Sequence, residues 1–318
     1  MKLFALSFII GFVINFFYFS PLNGLEIYPN EYLHKEPSPS SKNLKAYSGN
    51  DQYYVQYQKV GKEIEFYSTA GEKFWKLKSL EYPYLSYQGR LIFLMNGDHS
   101  QIRIINYHGK EIGVKKVVGR MCTIISFSPE NDYGAIGFLD GSFYVINESG
   151  QIIFSNPNEH PKPIKGLALS NQGLFTAVHQ GDDKKDFLQI FNLANGEIST
   201  VKLNHTHLAK TALTVNDQGE TAILDQDRIL FFNPQGSLNF SIKIPPPEYG
   251  SASLAHYKNL FLACYPQKNK RAKVILFKNK GEIIFSKEFE EENYLQGQLK
   301  ENSIILEGIE HLYGYNFH

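Results

Sequence analysis

The chain has 318 residues, of which 42% are hydrophobic, 20% charged and 14% aromatic, so it is a globular chain with material for a large core in one or two domains. Lys+Arg and Asp+Glu both number 32, and the resulting formal charge of zero gives no bulk attraction for nucleic acid or for an anionic membrane. The two cysteines, with no Cys-x-x-Cys and no Cys/His quartet, exclude a disulfide framework and give a structural zinc site no support.

Lys2 is followed by an uncharged run from Leu3 to Leu25 whose centre, LFALSFIIGFVINFFYF, is almost purely apolar. It ends at Ser20-Pro21 with a small residue at Gly24, the pattern of a signal peptide, so residues 1–24 are expected to be a signal peptide or an uncleaved membrane anchor. No Cys follows the run, so a lipoprotein signal is not expected. The expected location is therefore exported: periplasmic, cell-surface or secreted. Residues 35–42, KEPSPSSK, read as a loop. Residues 25–318 are expected to form a single all-β domain; the 20 Tyr and 24 Phe suit half-buried pleated surfaces.

From residue 64 onward one hairpin recurs: IEFYSTAGEKFWK (64–76), IRIINYHGKEIGV (102–114), FYVINESGQIIFS (143–155), LQIFNLANGEIST (188–200), ILFFNPQGSLNFS (229–241) and VILFKNKGEIIFS (274–286). Its turn glycines are Gly71, Gly109, Gly150, Gly196, Gly236 and Gly281, spaced 38, 41, 46, 40 and 45 apart. A four-stranded propeller blade repeats every 40–45 residues or so. Asn106, Asn147 and Asn233 stand three residues before their glycine, Ser68 holds that place in the first copy and Asn192 stands four before Gly196. Asn or Ser at the head of a type I turn bonds the turn's own backbone. Two further strand-like runs precede each hairpin, as at Cys122–Ser126 and Gly134–Phe138, giving strands A to D with A on the axis and D outermost. Cys122 and Cys264 then fall three blades apart and are expected to be buried free thiols.

Residues 126–147, SFSPENDYGAIGFLDGSFYVIN, resemble a WD40-type repeat, and residues 45–318 or so follow the pattern of the WD40-like/quinoprotein-like β-propeller superfamily. Asn147 stands where the WD40 dipeptide has its Asp and the Gly-His start is missing, so the internal polar tetrad of true WD40 blades does not carry over. After the sixth hairpin only Tyr294–Leu299, Ser303–Glu307 and His311–Phe317 remain, three strands without a fourth. A first strand that completes the last blade removes an open sheet edge. Seven blades are expected, with Leu25–Tyr28 as the outer strand of the seventh; six is the alternative.

In such blades the A–B and C–D turns share one face and the D–A and B–C loops the other. The A–B turns are short and stereotyped, whereas the D–A and B–C loops differ between blades, and variable loops on a rigid scaffold concentrate binding residues. The candidate binding residues are therefore Tyr82, Tyr84, His99, Arg120, His160, His205, His207, Tyr249 and Arg271. The run Glu290–Glu292 reads as wet surface. No Gly-x-Ser-x-Gly and no phosphate-binding glycine loop is present, so no catalytic residue and no cofactor is assigned. The expected function is an exported, non-catalytic scaffold that binds a protein or a small ligand through the D–A/B–C face, with no nucleic acid and with membrane contact only through an uncleaved anchor. The alternative is a propeller hydrolase or lactonase with a metal centre at the channel mouth, where His205 and His207 alternate in an extended segment.

Overall fold

The computed structural model describes residues 27–29, 33–34, 43–58, 61–113, 117–118, 120–156, 162–246, 252–268, 270–290, 292, 294–308 and 311–317. Among these every regular element is a strand. Two short strands, β1 (Ile27–Pro29) and β2 (Leu33–His34), come first. Blade 1 is β3 (Asn43–Tyr47), β4 (Tyr53–Gln58), β5 (Glu63–Ser68) and β6 (Lys73–Lys78). Blade 2 is β7 (Tyr82–Leu85), β8 (Leu91–Met95), β9 (Gln101–Asn106) and β10 (Val117–Val118). Blade 3 is β11 (Cys122–Phe127), β12 (Gly134–Phe138), β13 (Phe143–Ile146) and β14 (Ile152–Asn156). Blade 4 is β15 (Ile164–Leu169), β16 (Phe175–Gly181), β17 (Asp186–Asn192) and β18 (Ile198–Lys202). Blade 5 is β19 (Leu213–Val215), β20 (Thr221–Asp225), β21 (Arg228–Phe232) and β22 (Leu238–Lys243), and blade 6 is β23 (Ser253–Tyr257), β24 (Leu260–Gln267), β25 (Arg271–Lys278) and β26 (Ile283–Glu290). Blade 7 is β27 (Gln296–Lys300), β28 (Ser303–Glu307) and β29 (His311–Phe317), completed by β1.

Each sheet is an antiparallel meander, and seven are present. The N-terminal strand pairs β29 through Ile27–Phe317, Tyr28–Asn316 and Pro29–Tyr315, which bears out the expected closure with the strand placed slightly further along the chain. β2 adds two more pairs to β29. One cavity of about 340 Å³ is lined by Gly49, Leu85, Phe127, Leu169, Leu213, Ala255 and Leu299, one residue from the inner strand or its following turn in every blade. The inner strands therefore surround a common axis, and the sheets radiate from it.

Alternation along each strand puts its apolar residues on faces that meet the neighbouring blade. Val55, Ile64 and Phe66 of blade 1 meet Ile92, Leu94 and Ile105 of blade 2; Phe143 and Val145 of blade 3 meet Val178 and Phe191 of blade 4; Ile229 and Phe231 of blade 5 meet Phe261 and Ile275 of blade 6. Edge-to-face ring pairs cross two of these junctions, Phe143 to Phe191 at 4.9 Å and Phe231 to Phe261 at 4.8 Å between centroids. Six such clusters join blades 1 through 7 in succession. Cys122 and Cys264 sit in two of them as free thiols, and burial pushes their pKa values up to about 11 and about 12.

The turn chemistry is as the residue types require. All six hairpin glycines take positive φ, between 74° and 91°. The Asn147 side chain accepts the backbone N–H groups of Ser149 and Gln151 at 3.1 and 2.9 Å, and Asn106 and Asn233 repeat the arrangement. The second hairpin departs from expectation. After a bridge between Ile105 and Glu111 the Ile112 N–H still donates to Ile104, and the outer strand among the described residues is Val117–Val118. Gly113 lies against the Gly150 turn of the next blade so closely that a Cβ there would come within 1.7 Å of the Gly150 carbonyl oxygen. Glu292, expected on the surface, is buried; it accepts the Tyr313 hydroxyl at 3.0 Å and lies 3.2 Å from His311 Nδ1.

Candidate functional site

On the D–A/B–C face, β7 carries Tyr82 and Tyr84 on one side of the strand because they are two residues apart. Tyr82 meets Tyr57 of blade 1 edge to face at 6.1 Å. Burial, and then the nearby Cys122, Tyr57 and Tyr82, raise the Tyr84 hydroxyl above its ordinary value, and the Lys210 charge reaches Cys122. His99 holds a left-handed backbone with φ 61°, and its carbonyl accepts the Cys122 N–H at 2.8 Å, which ties the B–C loop of blade 2 to blade 3. Arg120 lies over the Phe138 and Tyr144 rings, donates to Ser142 Oγ at 2.9 Å and approaches Asp140 at 3.7 Å, so it is fixed along blade 3. Arg271 pairs with Glu290 at 3.5 Å across the two outer strands of blade 6, away from the axial residues. His160 and Tyr249 lie outside the described residues.

His205 and His207 do come together, on Asp225 at the end of β20, at 3.1 and 2.8 Å. The His207 backbone N–H donates to Asp186 Oδ2 at 2.8 Å, and Asp186 also takes His179 Nε2 at 2.9 Å and Lys165 Nζ at 2.6 Å. Burial opposes the charge of both aspartates. Hydrogen bonds outweigh it and hold both carboxyls below the usual range: His179, Lys165 and the His207 N–H for Asp186, His207 and His205 for Asp225. Gly181 makes room for this, since a Cβ there would meet Asp186 Oδ1 at 1.8 Å. The network fastens the D–A loop between blades 4 and 5 onto both blades. Among the described residues no group of three or more His, Cys, Asp or Glu side chains is arranged to hold a metal, so the histidine pair finds no donor set beyond its own aspartate.

The same face also carries exposed apolar side chains among its charged ones. Leu80, Met121, Leu139, Leu208 and Tyr294, all in D–A or B–C loops, are exposed, Leu208 at 93%. Met121 and Leu139 are adjacent, the Leu139 N–H donating to the Met121 carbonyl at 2.8 Å. Among the described residues the A–B and C–D turns themselves expose Tyr107 and Leu174, with Tyr47, Ile198, Leu238 and Ile283 exposed at the adjoining strand ends.

That second face is polar and concave. A cavity of about 510 Å³ is lined by Glu130, Asn171, Asp217, Glu220, His256 and Lys258, among others, from the turns of blades 3 to 6. Here amides and carboxylates reach from blade to blade. Asn171 Nδ2 donates to Glu130 at 2.6 Å, the Gln172 N–H to Asp217 at 2.7 Å, and Asn279 Nδ2 to Glu220 at 3.2 Å. Sequence reasoning did not reach this cavity, nor Lys165, His179 and Asp225.

No family model matches the chain, and no curated protein matches it in sequence. Solved structures do match in fold. BamB from Moraxella catarrhalis superposes with a TM-score of 0.57 at 13% identity, over 86% of this chain and 84% of that one. A chain of the mitotic checkpoint complex gives a TM-score of 0.59 at 13% identity, over 93% and 94%. The Dos1 propeller gives 0.60 at 9% identity, over 86% and 78%. The fold is that of the WD40-like and quinoprotein-like β-propellers, with seven blades.

Proposed function

We propose that this propeller is an exported binding scaffold that holds a protein partner on its D–A/B–C face. The observation that carries the reading is the exposed apolar side chains Leu80, Met121, Leu139 and Leu208 on loops fixed to a rigid ring. Met121 and Leu139 adjoin one another, and exposed apolar surface rimmed by polar groups marks protein docking. The rim is preorganised: Arg120 is held by two rings and the Leu208 loop by the His207 contacts, so little side-chain freedom is lost on docking. That propellers serve as protein platforms is supported by a neighbour whose structure is of a mitotic checkpoint complex. Export is supported by the apolar run after Lys2.

The test is crosslinking in the envelope fraction with the full chain, comparing Met121→Asp and Leu208→Asp with Ile198→Asp on the outer strand of blade 4. A partner crosslinked by the native chain, lost in the first two variants and kept in the third, is the expected result. Equal crosslinking in all three, or a chain that stays cytoplasmic, removes the proposal.

A further inference from the structure

We propose that the cavity on the A–B/C–D face binds an organic cation, the ammonium or guanidinium group of an extended ligand, between blades 3 and 6. This site is separate from the docking face and stands independently of it.

Three carboxylates line the cavity, on Glu130, Asp217 and Glu220. Each is held by neutral donors, and no Lys, Arg or His among the described residues lies within ion-pair distance of any of them. The amide of Asn216 reaches Glu220 at 2.8 Å, that of Asn279 reaches the same carboxylate, and the Asn171 amide reaches Glu130. The carboxylates are therefore oriented by neutral contacts, with Lys258, whose charge acts on Glu130, as the one cation beside three carboxylates. Lys258 is the one cationic side chain among the lining residues; it is 69% exposed and turned to Glu301, 3.7 Å away, and over the Tyr257 ring.

The independent observation is His256. It is 3% exposed and lines both this cavity and the axial one. Its Nδ1 lies 2.8 Å from Thr214 Oγ1, and Nε2 has no hydrogen-bond partner among the described residues. In the tautomer in which Nδ1–H donates to Thr214, Nε2 keeps a lone pair that an N–H of a cation can use. Burial keeps this ring neutral, so it does not repel a cation. Burial, and then the charges of Glu301 and Asp217, raise the Glu130 carboxyl against the opposing effects of Asn171 and Lys258. Pro129 and Tyr257 supply apolar wall for the methylene stem of such a ligand.

The chemistry has two sources, a Lys or Arg side chain of a peptide and a free polyamine. The experiment is calorimetric titration of the full chain with a blocked tri-arginine peptide, with its tri-citrulline counterpart and with spermidine. Saturable binding of the arginine peptide with at least tenfold weaker citrulline binding is expected. Spermidine binding as tightly as the peptide assigns the site to a free amine, and spermidine binding tenfold weaker assigns it to a peptide side chain. The double variant Glu130→Gln/Glu220→Gln keeps the shape and the amide contacts and is expected to weaken binding tenfold or more. Lys258→Met removes the competing cation and is expected to tighten binding several-fold, a gain that misfolding does not produce. No saturable binding of either cation, equal affinity for citrulline, or affinity unchanged in both variants overturns the proposal.

Discussion

Buried titratable side chains decide the behaviour of this molecule in acid. Burial holds the His256 pKa down to about 4, with the Asp217 charge opposing only in part. An unfolded histidine titrates near 6.5. Between these two values the unfolded chain takes up a proton that the folded chain refuses, so stability falls as pH drops through this window. At 1.36 kcal/mol per unit this contributes up to about 3 kcal/mol. His179, also lowered by burial against the pull of Asp186, acts in the same direction. Urea midpoints measured at pH 7 and pH 4.5 should differ, and His256→Gln should shrink the difference; an identical slope in the variant removes the argument. Asp186 makes a second prediction. Asp186→Asn leaves Lys165 and His179 without their buried charge partner and should cost about 3 kcal/mol in urea unfolding. A loss below about 0.5 kcal/mol contradicts the reading of that network as a clamp. These residues show what local pattern does not reveal. The His205/His207 spacing was visible along the chain, but Asp225, 18 and 20 residues away, meets them only through the return of a sheet.

At the scale of the element, the hairpins were legible because their turns are made by residues close in sequence. Asn147 satisfies its own turn, and Gly150 supplies the positive φ. The A–B turns hold an equally regular device that the hairpin pattern overshadowed. Ser48, Ser86, Ser128 and Ser170 end or follow the inner strands, are buried, and accept the N–H of Tyr53, Leu91, Tyr133 and Phe175 at 3.0–3.2 Å. Asn216 fills the same place in blade 5, accepting the Glu220 N–H. Five buried polar side chains spaced about one blade apart were in the sequence, but serine is common in any turn, and only burial tells a turn-closing hydroxyl from a solvated one. Ser170→Ala should cost about 1–2 kcal/mol, because two N–H groups, of Leu174 and Phe175, lose their acceptor in a buried place. Ser155→Ala on the outer strand of blade 3 should be nearly neutral, and equal effects at the two sites contradict the assignment. These turns also show why the cavity on this face was not legible along the chain: short turns read as bland, yet their amides and carboxylates reach the next blade and enclose the cavity.

Over the whole ring, six blade junctions are sealed by buried apolar clusters, and the seventh, between blade 7 and blade 1, is not among them. What the described residues show there is an ion pair, Lys300 to Asp51 at 3.8 Å, between the inner turns of the two blades. An exposed pair of this kind contributes little. Burial raises the Asp51 carboxyl, Lys300 opposing and Glu307 adding to the rise, so the carboxylate is poorly compensated at this seam. β1 and β2, from the start of the described chain, hydrogen-bond to β29 at its end and tie blade 7 to the chain that leads into blade 1. That arrangement was legible because three strands without a fourth demand a donor from elsewhere, whereas the weakness of the seam depends on which side chains meet across it. A chain beginning at Asn30 loses the three β1 pairs and bares the edge of β29, while one beginning at Leu25 keeps them. An exposed edge strand both opens and recruits other chains. The shorter chain should unfold several degrees lower, should exchange the amides of β28 and β29 faster than those of blades 3 to 5, and should aggregate on heating. Equal unfolding midpoints for the two chains, with uniform exchange protection from blade 1 to blade 7, would show that the ring closes without its first strand.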